Sequence, residues 1–67
     1  MSKITQKDSS YIAKLKDILC NRSNVHYVYC NNSAYEDNFE MSIYYKSGAI
    51  LDMCFEDARD LALEYIR

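Results

Sequence analysis

Apolar positions along this chain change period twice, and the changes mark out its elements. Over residues 9–21 they recur at three-and-four spacing. Tyr11, Ile12, Leu15, Ile18 and Leu19 make one stripe, with Lys14, Lys16 and Asp17 outside it. Asp8, Ser9 and Ser10 precede the stripe, and each has a side-chain oxygen that can accept from a free first-turn amide. A first helix is therefore predicted over 9–21, closed by "NRSN" (21–24), whose side chains compete with helix for the backbone. The period then drops to two. "VHYVYC" (25–30) is β-branched and aromatic and reads as a strand. "NNSAYEDN" (31–38) is a polar loop. "FEMSIYYK" (39–46) and "AILDMCFE" (49–56) alternate strictly, joined at "KSGA", where Gly48 is free to take positive φ. Helical spacing returns in Ala58, Leu61, Ala62, Tyr65 and Ile66, with Asp57 as the expected N-cap, Asp60 favouring the positive helix end and Arg67 near the negative one.

The order α-β-β-β-α predicts a single compact α+β domain over 1–67, with residues 1–8 loosely ordered. Its simplest form is a two-layer fold: a three-stranded antiparallel sheet with both helices on one face. Alternation then points Phe39, Met41, Ile43, Tyr45, Ala49, Leu51, Met53 and Phe55 inward. Glu40, Ser42, Tyr44, Lys46, Ile50, Asp52, Cys54 and Glu56 point outward. The first strand admits two registers. One buries Val28 and Cys30 and exposes Tyr27 and Tyr29; the other buries Val25, Tyr27 and Tyr29 and exposes His26, Val28 and Cys30. The first is preferred, because a tyrosine tolerates a wet hydroxyl.

Composition sharpens the picture in three places. The chain has 67 residues, 49% of them hydrophobic, with one glycine and no proline, so few tight turns and a thin core are expected. Three cysteines, Cys20, Cys30 and Cys54, follow a polar N-terminus, and no apolar run is long enough to span a bilayer. These features predict a soluble, reduced, cytoplasmic protein, complete from its Met1, with its cysteines buried as small apolar residues. The net charge of −2 is divided unevenly. The first thirty residues hold five Lys or Arg against two Asp, and the remainder hold three basic against eight acidic residues.

No motif for a reaction is present, and no catalytic, cofactor or metal residue is assigned. His26 is the one histidine, and there is no glycine-rich phosphate loop. Cys20, His26, Cys30 and Cys54 are the residue types of a Cys₃His zinc site, but no two cysteines stand two to four apart. The chemistry on offer is a surface. Tyr27, Tyr29 and Tyr44 stand on the outer face with Ile50, rimmed by Glu40, Asp52 and Glu56, beside the loop residues Tyr35, Glu36 and Asp37. Asp57, Asp60 and Glu64 share a ridge of the last helix. Tyrosine gives large contact area at low entropic loss, which suits a binding surface. The bland alternative is a solvated sheet stabilised by cross-strand tyrosine pairs.

At the level of class, this short, tyrosine- and acid-rich chain, with its Lys, Asn, Ile and Tyr usage, resembles small inhibitors made by phages and mobile elements, anti-CRISPR proteins among them. That resemblance implies a non-enzymatic protein that binds a basic, nucleic-acid-handling host protein, its carboxylates mimicking the charge of a phosphate backbone and its tyrosines anchoring the contact. Two other readings stand beside it. One is a self-associating module, paired through the open sheet face or a bare edge strand. The other is direct nucleic-acid binding through Lys14, Lys16 and Arg22 of the first helix, disfavoured by the acidic rim around the tyrosines.

Overall fold

The computed structural model describes residues 3–66; Arg67, expected near the negative end of the last helix, lies outside them, as do Met1 and Ser2. Helix α1 (Gln6–Cys20) leads into strands β1 (Val25–Cys30), β2 (Met41–Tyr45) and β3 (Ile50–Met53), and helix α2 (Phe55–Ile66) follows. The strands form an antiparallel meander in the order β1-β2-β3. Both helices shelter one face of it, α1 packing on β1 and the two helices packing against each other.

That packing builds the core. Ile12, Leu15 and Leu19 of α1 and Phe55, Ala58 and Ala62 of α2 meet Val25, Val28, Met41, Ile43 and Met53 from the sheet. The alanines let α2 approach closely, and Phe55 meets Phe39 edge-on at 5.6 Å between ring centroids.

β1 takes the register in which Val28 and Cys30 lie opposite Ile43 and Met41, while Tyr27 and Tyr29 lie opposite Tyr44 and Ser42 on the other face. A bulge makes this compatible with burying Val25. Val25 and Tyr27 pair with the consecutive residues Tyr45 and Tyr44, so His26 has no partner, and Val25 and Val28 both turn inward despite their odd spacing. The β2–β3 hairpin closes through Gly48, whose φ is 97° and whose N–H donates to Tyr45 O at 3.0 Å, while Tyr45 N–H donates to Ala49 O at 2.9 Å.

Several expectations are corrected. α1 begins at Gln6, three residues early. Thr5 is its N-cap, its Oγ1 accepting from Asp8 N–H at 3.1 Å, and Ile4, in the segment expected to be loose, is buried in the core. α2 begins at Phe55, so Asp57 lies in its first turn rather than capping it, accepting from Cys54 Sγ at 3.4 Å. Phe55 and Glu56, which alternation assigns to the third strand, belong to the helix; Phe55 opens it because its spacing to Ala58 and Ala62 puts all three on the core stripe. Leu51 lies opposite Ile43 on the helix side of the sheet, yet remains 45% exposed while Ile43 is 1% exposed. The cause is that α2 leans on α1 and touches β3 only slightly. Cys20 and Cys54 are exposed rather than buried, while Cys30 is half-buried and packs against the core.

Candidate functional site

The outer face of the sheet is covered by neither helix. One cross-strand row runs Tyr27–Tyr44–Ile50, and the next runs Tyr29–Ser42–Asp52. In the first row the Tyr27 and Tyr44 rings sit 5.8 Å apart at a 43° tilt, and Ile50 extends the apolar strip to the sheet edge. Tyr27 is 54% and Ile50 59% exposed; Tyr29 is exposed as well and Tyr44 half-buried. In the second row Ser42 donates to Asp52 Oδ1 at 2.6 Å, which fixes the carboxylate on this face and leaves Ser42 itself buried beneath its neighbours. Glu40 has the same strand parity one step beyond Ser42, and Lys46 has it at the other end, so the charges flanking the tyrosines are mixed.

The remaining predicted residues are placed elsewhere. Tyr35, Glu36 and Asp37 lie in the β1–β2 connection, a short 3-10 turn spanning Glu36–Asn38. Asn31 ties this loop together: its Oδ1 accepts from the N–H groups of Ser33 and Glu40, and its Nδ2 donates to Asn38 O. The Ile4 N–H donates to Ala34 O, and Lys3 bridges to Tyr35, which draws the loop toward the segment leading into α1. Glu56, Asp57, Asp60 and Glu64 are exposed on the flank of α2 opposite its buried residues Phe55, Ala58 and Ala62. They therefore belong to the helical layer and do not rim the tyrosines. The expected single surface divides into an aromatic face on one side of the molecule and an acidic helix flank on the other.

The basic side of α1 is also smaller than its sequence suggests. Arg22 donates to Tyr65 Oη at 2.8 Å and stacks on that ring at 5.0 Å, joining the turn after α1 to the end of α2. Lys16 is half-buried beside a cavity of about 420 Å³ walled by Ile4, Ile12, Ala13 and Phe39. Among the described residues, no group of His, Cys, Asp and Glu is arranged to hold a metal ion, and no helix is long and apolar enough to cross a membrane. Sequence reasoning places Ile50 on the outer face but misses the exposure of Leu51 on the inner one, which leaves an apolar side chain exposed on each side of the β3 edge. The signal was there, since a strand placed last in a meander has one free edge.

No protein-family model, curated protein or solved structure matches the chain.

Proposed function

We propose that this protein works by binding another protein through the outer face of its sheet, as a small non-enzymatic inhibitor anchored by Tyr27, Tyr29 and Tyr44. The observation that carries the reading is the row Tyr27–Tyr44–Ile50, an apolar strip with polar tips left open beside a well-buried core. Large, rigid side chains of this kind dominate the energetics of protein interfaces. Asp52 and Glu40 give the face an acidic component, and the α2 flank adds a second acidic surface that would speed approach to a basic partner. A basic nucleic-acid-handling protein is the partner class this charge favours, and counter-defence inhibition of the anti-CRISPR kind, in a host cytoplasm, is the corresponding role.

The test is comparative capture from a host lysate, followed by tyrosine nitration of the isolated complex. Replacing Tyr27 and Tyr44 together by alanine is expected to reduce recovery of a basic partner by about tenfold or more. In the wild-type complex Tyr27, Tyr29 and Tyr44 are expected to be protected and Tyr35 to stay reactive. Equal recovery by both forms, or protection confined to Tyr35, overturns the reading.

A further inference from the structure

We propose that the free edge of β3 pairs with β3 of a second copy, giving a two-fold dimer with one continuous six-stranded sheet. The hydrogen-bond phase of the hairpin supplies the first argument. The Tyr45 N–H points at β3 and donates to Ala49 O, so along the ladder Tyr44–Ile50 is not a hydrogen-bonded pair, Ile43–Leu51 is, and Ser42–Asp52 is not. The N–H and C=O groups of Ile50 and Asp52 therefore point away from β2, out of the sheet. On β1 the corresponding edge is interrupted by the bulge at His26 and backed by buried Val28, whereas β3 has an exposed apolar side chain on each side: Ile50 outside and Leu51 inside.

These groups also select the occupant and the register. With Leu51 on the two-fold axis, Ile50 and Asp52 of one copy face Asp52 and Ile50 of the other. All four outward amides and carbonyls of each such exchange are then matched, and the two Leu51 side chains meet and cover the surface that α2 leaves bare. Moving the axis to Asp52 would set two carboxylates face to face. Moving it to Ile50 would leave Leu51 against Ala49. The axial register also carries the hairpin tip, with Lys46, toward the acidic start of α2 on the other copy, where Glu56 and Asp57 are exposed. The contact is short, so the dimer is weak. It leaves both tyrosine faces open on the same side of the joined sheet, and it does not depend on those faces being a docking site.

Sedimentation of the full chain under reducing conditions, from micromolar to millimolar concentration, is expected to show mass rising from monomer toward dimer. Leu51→Lys is expected to abolish that rise. Ile50→Pro should abolish it as well, because it removes only an outward-pointing amide, and circular dichroism verifies that the fold is kept. A cross-link reads the register directly. A non-hydrogen-bonded antiparallel pair has Cα atoms about 4.5 Å apart, within the span of a disulfide. With Cys20, Cys30 and Cys54 changed to Ser, Leu51→Cys should therefore join to its own copy on mild oxidation far faster than Ser47→Cys. A wild-type chain that stays monomeric throughout, equal cross-linking at the two positions, or a dimer that survives Leu51→Lys but is lost in the Tyr27/Tyr44 double alanine would each overturn the proposal.

Discussion

On the helix side of the sheet Val28, Met41 and Ile43 are almost fully buried, while on the other side Tyr27, next to Val28 on β1, and Ile50, on β3, keep more than half of their surface. The backbone and the ladder are common to both sides; only the covering layer differs. Inside, aliphatic and thioether side chains meet Ala58 and Ala62, and removal of apolar area from water holds the layers together. Outside, tyrosines stack on each other and hold their hydroxyls in water, adding little to that sum. The difference teaches where stability and recognition are separable in this chain: substitutions on one side should change folding, and those on the other should change what the protein touches.

The largest expected effect sharpens the contrast within the inner side itself. Ile43→Ala should cost about 2–5 kcal/mol in denaturant unfolding, whereas Leu51→Ala, at its cross-strand partner, should cost under about 1.5 kcal/mol. Equal losses would mean that the β3 edge is covered in solution by something beyond the single chain. Next comes Ser42→Ala, which removes the hydrogen bond to Asp52 on the outer face and should cost about 1 kcal/mol, read by the same titration. The smallest effect is the most telling. A double-mutant cycle on Tyr27 and Tyr44 should give a coupling of about 0.5 kcal/mol. A coupling of several times that would make the aromatic row part of the fold's own stability and erase the contrast between the two sides.

Much of the fold could be read from periodicity. The limits of the first strand, the alternation of "EMSIYY" and the positive φ of Gly48 follow from side-chain chemistry local to each segment. Errors arose where a residue type fitted two roles. Asp8, Ser9 and Ser10 are better-looking caps than Thr5, but Ile4 anchors the chain in the core and so starts the helix earlier. Phe55 has the right parity for a strand and the right spacing for a helix, and the alanines that follow decide for the helix. The candidate site was legible only as far as strand parity reaches. Alternation fixes a face and so brings Tyr27, Tyr29, Tyr44 and Asp52 together. Sequence proximity sets Glu56 beside them, with the ridge of Asp57, Asp60 and Glu64 following on, but proximity carries no information once α2 folds back beneath the sheet.

The unpartnered His26 sets a reading frame for the first strand. Removing it would leave Val25, Tyr27, Val28, Tyr29 and Cys30 in unbroken in-and-out alternation, so every neighbour keeps its side of the sheet. Loss of Tyr27 would let His26 take its place in the same alternation, whereas loss of Val28 or Tyr29 would turn Tyr27 inward against the helices. One-residue length variation in this segment is therefore tolerable at position 26 and ruinous two steps later.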